Sequence, residues 1–390
     1  MTQSTQIPTG SIRQIIWLNV IFFTVTTSAA LIGAPLYIYH HGLSWQEMVL
    51  FIFYVAVTGL SITVGYHRLF AHQTFKSTPI VDFLVLFFGA AAFEQSALDW
   101  SSQHRDHHRF VDTDQDPYSI KKGFFYAHIG WLIFWKHTIN YDNAKDLKKN
   151  AMLMHQSQHY LLWSVVSGIL LPVMIGALSG HALGAFILSV CLRLTLVYHS
   201  TFCINSVCHM FGKATYDIYA TAKDHWFVAF LTNGEGYHNF HHRFPTDYRN
   251  GVRWYQWDPS KWTIAVLEKM GLAKDLKRVS KFTILQAKLA AENRSVEDKL
   301  LSAKIRHELE IVREKLKIRY EQLLDSLSHW EAVSKKNRSI LFSKAAQDTA
   351  ALRDLASKEI REAKNQFRRA RGEWKQFVKT DHFNPETLAA

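Results

Sequence analysis

Apolar residues gather in long unbroken runs over the first two hundred positions and recur at helical spacing over the last hundred. Four runs are nearly free of charge over the ~20 residues a helix needs to cross a hydrocarbon core. They are Ile15–Tyr39, Trp45–Gly65, Tyr160–Leu178 and Ala182–Phe202; the last two hold one charge between them, Arg193. A fifth run, Ile80–Phe93, is shorter and has Asp82 near its start, which suits a buried or interfacial helix better than a span. No proline occurs between Pro259 and Pro385. From Ile305 to Trp330, and again from Leu352 to Phe377, apolar residues fall every third or fourth position, the stripe of an amphipathic helix. The polar stretch Ser334-Lys335-Lys336-Asn337-Arg338-Ser339 reads as a break between the two. The pattern predicts an all-α integral membrane protein with four transmembrane helices over 1–275. A charged amphipathic tail follows over 276–390, a coiled-coil-like antiparallel hairpin of two long helices.

Charge sharpens the picture. The net charge is +12, and residues 281–380 carry +9 of it. A basic balance fits nucleic acid or an anionic membrane surface; the apolar runs favour the membrane, and no nucleic-acid partner is expected. The turns His40–Ser44 and Ser179–His181 hold no Lys or Arg, whereas the segments facing the other way carry Arg68, Lys76, Arg105, Arg109, Lys121, Lys122, Lys145, Lys148 and Lys149. By the positive-inside rule both termini and the middle region lie in the cytoplasm. The three cysteines, Cys191, Cys203 and Cys208, are too few for a disulfide scaffold or a Cys₄ zinc site and read as buried reduced thiols.

The chain has 21 histidines, and neutral imidazole is the commonest nitrogen ligand for metals. Three clusters stand out: His67 with His72, His104 with His107 and His108, and His238 with His241 and His242. His209 lies just past the fourth run, with Asn205 one helical turn before it. In the second and third clusters the i, i+3, i+4 spacing puts the other two imidazoles within about 60° of the first, on one helix face. In the first, i and i+5 differ by about 140° on an α-helix, so the two would grip one site from opposite sides or address two metals. One metal cannot use nine imidazoles; two metals with four or five each can. The clusters meet on one side of the membrane only if the fifth run does not cross. A soluble di-iron bundle needs two Glu-x-x-His motifs, and only Glu235-Gly-Tyr-His238 is present. An all-histidine pair of metals at a membrane surface points to iron and oxygen chemistry, with no catalytic side chain beyond the ligands.

The histidine boxes resemble those of the membrane fatty-acid desaturases, in particular the acyl-CoA Δ9 (stearoyl-CoA type) branch. Gly65-Tyr66-His67-Arg68-Leu69 resembles the first box. The second is matched by Trp100, His104-Arg105-Asp106-His107-His108, Asp116-Pro117 and Lys122-Gly123-Phe124-Phe125. The third is matched by Gly234-Glu235-Gly236-Tyr237-His238-Asn239-Phe240-His241-His242. The likeness covers about residues 10–275 and leaves the tail outside. It implies a cytoplasmic helical cap in which two iron ions are bound by His67, His72, His104, His107, His108, His209, His238, His241 and His242, with Asn205 holding a water near one of them. Trp100 and Thr201 match positions that shape the bend of the family's acyl tunnel, and Glu94 stands where relatives carry Gln. Ser102-Gln103 replaces an Arg-Asp pair that lies near CoA in animal relatives, which leaves the acyl carrier open between CoA and phospholipid. The implied reaction is introduction of a cis double bond with O2 and two electrons. No haem motif, dinucleotide loop or iron–sulfur cysteine set appears, so a separate donor such as cytochrome b5 or ferredoxin is expected, with Lys121, Lys122 and Lys136 as candidates for docking it. The rival readings are a related membrane di-iron hydroxylase and a non-catalytic membrane scaffold. For the tail they are a solvated appendage, self-association, and a seat on anionic lipid through Arg368, Arg369 and Arg371.

Overall fold

The computed structural model describes residues 15–134, 139–302, 306–342 and 350–379; Lys136 and Ile305 lie outside them. The chain divides into two compact units, the first reaching residue 214 and adding 220–278, the second formed by 215–219 and the chain from 279 onward.

In the first unit four helices are long and apolar enough to cross a membrane: Trp17–His41, Trp45–Ala71, Tyr160–Leu178 and Ala182–Met210. Two outlast their apolar runs, the second by six residues past Gly65 and the fourth by eight past Phe202. The polar ends are still helix because they continue from a bilayer into protein. The second span starts at a capping box: Ser44 Oγ accepts from the Glu47 amide at 3.2 Å, and Glu47 Oε2 accepts from the Ser44 amide at 2.9 Å.

The fifth run forms the helix Pro79–Ala90, 12 residues long, about 18 Å at 1.5 Å per residue, too short for a ~30 Å core. It packs against the second span at two reciprocal glycines. A Cβ on Gly65 would lie 2.6 Å from Val85 Cβ, and one on Gly89 would lie 2.5 Å from Tyr66 Cε1.

Arg193, the one charge in the last two spans, is fully buried. It donates to carbonyls of Ser189 (2.7 Å), Ala91 (2.6 Å) and Gly168 (3.0 Å) and to Thr58 Oγ1 (3.2 Å). A buried guanidinium needs such partners, and these join the second, third and fourth spans to the end of the short helix. The segments after the spans hold the helices Ala97–Phe110, His238–Arg243 and Pro259–Lys269. An antiparallel pair, Lys76–Ser77 with Ala273–Lys274, closes this region.

The second unit keeps the two expected tail helices and adds a third before them. It has three helices among the described residues, Lys281–Ser302, Arg306–Phe342 and Ala350–Lys379. They enclose a core that includes Phe282, Leu289, Leu323, Trp330, Phe367 and Trp374. The expected break at Ser334–Ser339 is absent: one helix runs through it, and Asn337 is buried with its Nδ2 donating to Glu359 Oε2 at 2.8 Å. A polar run satisfied by a neighbouring helix has no reason to end its own.

Candidate metal centre

The second span changes geometry before it ends. Ser61–Ala71 is π-helical, and the His72 amide donates to the His67 carbonyl at 3.0 Å, an i→i−5 bond. Residues five apart are then one turn apart and share a face. The wide turn therefore brings His67 and His72 together, where α-helical spacing would set them about 140° apart. His104, His107 and His108 ride on Ala97–Phe110, which Ser96 caps by accepting from the Asp99 amide at 3.2 Å. His209 ends the fourth span, and His238, His241 and His242 occupy a short helix of their own.

These nine histidines form two groups, His67 with His72, His104, His108 and His241, and His107 with His209, His238 and His242. Within each group the ligand atoms all lie within 4.8 Å of one another. Each histidine triple is split: the i, i+4 pair enters one group and the i+3 member the other. The expectation of three imidazoles serving one direction is corrected here, since positions i and i+4 differ by about 40° while i+3 points about 60° to the other side.

The Nε2 atoms face one another: His67 to His241 at 3.0 Å, His72 to His104 at 2.9 Å, His108 to His241 at 2.8 Å, His209 to His238 at 3.0 Å and His107 to His242 at 3.3 Å. Two facing imidazole nitrogens can share only one proton, so a buried set of four or five is satisfied together only by a cation at its focus. No carboxylate or thiolate belongs to either group. An all-imidazole set suits a divalent transition metal rather than magnesium or calcium. Burial, reinforced by the neighbouring imidazoles, pushes the pKa values of His72, His104, His108, His238, His241 and His242 well below the usual histidine value. All six are therefore neutral at physiological pH and ready to ligate.

Three of the other ring nitrogens have a polar partner behind them, the arrangement that orients metal-binding histidines. His107 Nδ1 lies 2.9 Å from Asp116 Oδ1, His67 Nδ1 2.8 Å from Glu235 Oε2, and His209 Nδ1 2.6 Å from Thr221 Oγ1. Arg68 in turn donates to Glu235 Oε1 at 2.9 Å and pairs with Asp258 at 2.9 Å, all three buried. Burial alone would raise the Glu235 carboxyl; His67 and Arg68 hold it below its ordinary value. No local pattern in the sequence marks the supporting roles of Arg68, Asp258 and Thr221. The Glu235-x-x-His238 spacing was the one local signal, and it placed the carboxylate beside His67 rather than on the metal.

A cavity of about 660 Å³ reaches His67, His104 and His238 and is lined by Trp100, Thr201 and Asn205. Trp100 stacks on His104 with centroids 4.9 Å apart. Its indole donates to Glu94 Oε2 at 3.3 Å, and Thr201 Oγ1 donates to Glu94 Oε1 at 3.1 Å, so the two expected tunnel residues meet on one carboxyl. The cysteines stay outside both groups, with Cys191 and Cys208 buried and Cys203 half-buried. Lys122 donates to the carbonyls of Asp114 and Asp116.

The sequence profile of the family described as fatty acid desaturase matches residues 43–265. The chain is 39% identical over 267 residues to a probable acyl-CoA desaturase of Schizosaccharomyces pombe, covering 68% of this chain and 55% of that one. It is 34% identical to acyl-CoA desaturase 1 of Saccharomyces cerevisiae, covering 83% of this chain and 62% of that one. An alignment of that extent reaches past residue 275, whereas the family profile stops at residue 265. With the sn-1 stearoyl-lipid 9-desaturase of Anabaena variabilis it is 33% identical, covering 70% of this chain and 98% of that one. The chain thus spans less than two thirds of the two yeast proteins.

Proposed function

The chain belongs to the fatty acid desaturase family, and we propose that it is a membrane-bound desaturase placing a cis double bond, at Δ9, in a saturated fatty acyl chain. The observation that carries this reading is the pair of buried all-imidazole groups opening on one cavity with apolar walls. Two iron ions, held by His67, His72, His104, His108 and His241 and by His107, His209, His238 and His242, would supply the O2-dependent oxidant that an unactivated methylene pair requires. The balance takes two hydrogens from adjacent methylenes, two electrons from a donor and two protons from water, and turns O2 into two waters.

The protein's own part is placement. The cavity takes the chain away from water and holds it against the two groups, so that one pair of methylenes lies in reach. Trp100, fixed by its stack on His104 and its bond to Glu94, and Thr201 across from it would set the bend that gives a cis geometry. Asn205, on the same wall, would hold a water beside one metal. Glu235 and Asp116 keep the Nδ1 sides of His67 and His107 occupied, leaving each Nε2 for metal.

Charge bias supports a cytoplasmic position for the site and both termini, where a separate donor of the cytochrome b5 or ferredoxin kind would reach it. The named relatives act on acyl-CoA and on stearoyl-lipid, and both carriers are compatible with this reading. Residues 1–275 form the desaturase domain and 276–390 the tail.

Expression in a desaturase-deficient host followed by lipid mass spectrometry tests the proposal. A new Δ9 double bond is expected, and it should vanish in His107→Ala while that protein remains in the membrane. Retained activity in His107→Ala would sink the assignment.

A further inference from the structure

The cavity that reaches the two imidazole groups is not walled off from the outer surface of the spans. Ile52, Leu196, Phe230 and Trp257 all line it, yet they are 56%, 45%, 54% and 42% exposed. A side chain that belongs both to a cavity and to the outer surface marks an opening. Ile52 lies inside the span Trp45–Ala71 and Leu196 inside Ala182–Met210, both away from the helix ends, so the surface they share is the one that faces hydrocarbon. Val55 and Ala56 continue the lining one turn along from Ile52, and Ser200 does so from Leu196, the i, i+3, i+4 spacing of a single face on each helix.

The roof of the opening is aromatic. Phe230 and Trp257 lie 5.4 Å apart, and Trp257 meets Trp262 at 5.5 Å. Trp226 and Trp254 are exposed in the same unit. Indole and phenyl rings left on the surface of a membrane protein mark the level of the lipid head groups. Among the described residues the cavity lining contains no Lys or Arg. That lining suits a hydrocarbon chain and holds no fixed cation for the phosphates of a nucleotide carrier.

Resting on the desaturase reading, we propose that the acyl chain enters sideways from the bilayer, between the second and fourth spans and beneath Phe230 and Trp257. The substrate is then the acyl chain of a membrane phospholipid, its ester and head group remaining at the interface.

The test uses the full-length, iron-loaded protein in vesicles with a chemically competent electron donor. One sample carries phosphatidylcholine with deuterated stearoyl chains as the only labelled acyl source; the other carries unlabelled lipid with deuterated stearoyl-CoA added from water. Desaturated label within intact phosphatidylcholine is the expected result. Ala56→Trp and Leu196→Trp, which fill the opening, should each cut that turnover about tenfold while iron content stays the same. Turnover of stearoyl-CoA alone would overturn the proposal and leave desaturation standing, as would undiminished phospholipid turnover in both iron-replete variants. Turnover of neither substrate by the iron-loaded protein would overturn the desaturase reading and this proposal with it.

Discussion

The Glu94 carboxyl accepts from both Trp100 and Thr201 while lining a cavity with largely apolar walls. Desolvation raises its pKa from 4.5 to about 7 against the lowering effect of those two bonds. Because the folded value lies above the unfolded one, the group's contribution to stability is complete below pH 4.5 and is lost as pH rises through about 7. The same proton should govern the cavity. A neutral carboxyl leaves it dry, whereas a carboxylate draws in water and opposes an acyl chain. Apparent KM for acyl substrate is expected to rise as pH passes 7, and Glu94→Gln should flatten the profile; an unchanged profile in that variant would assign the dependence elsewhere. Behind the imidazoles, Asp116→Asn removes the charge facing His107 Nδ1. It should weaken metal binding by about 10–100-fold, the usual cost of losing such a partner, read by competition with a chelator. Undiminished affinity would leave Asp116 no part in positioning His107.

Helices were legible in the sequence where hydropathy or polarity alone decides them. Tyr160–Leu178 has the same ends in the sequence reading and in the structure. The second span does not, because His67 and Arg68 end its hydropathy window while the helix continues into protein contacts. Its π-helical turn was not legible, since hydrogen-bond period depends on packing partners. Nor was the division of each histidine triple, which depends on where a second helix lies. The Arg68–Asp258 pair joins residues 190 positions apart, a distance no local pattern reports. Two element-level outcomes follow from packing. Gly65→Ala places a methyl 2.6 Å from Val85 Cβ and should cost about 1–3 kcal/mol, seen as a lower Tm; an unchanged Tm would mean the short helix yields freely. Trp330, 8% exposed between Phe282 and Phe367, should cost about 3–5 kcal/mol on Trp330→Ala. That loss should appear as faster proteolysis of the tail with iron content unchanged.

For the whole molecule, two units with separate cores imply separable roles. A chain ending near Leu276 keeps all nine histidines and all four spans. It is expected to insert and desaturate. The tail carries +9 over 281–380, and a deficit of the shortened chain confined to low salt would assign that charge to steering an acidic donor, since salt screens such attraction. Loss of metal on shortening would instead make the tail part of the metal-binding fold. The central claim is that nine imidazoles hold two irons in a five-and-four division. Anomalous X-ray scattering at the iron edge from crystals of the purified protein tests it most directly. The account predicts two peaks, one bonded to His67, His72, His104, His108 and His241 and the other to His107, His209, His238 and His242. A single peak, or peaks that appear at the zinc edge and not at iron in protein that desaturates, would contradict it.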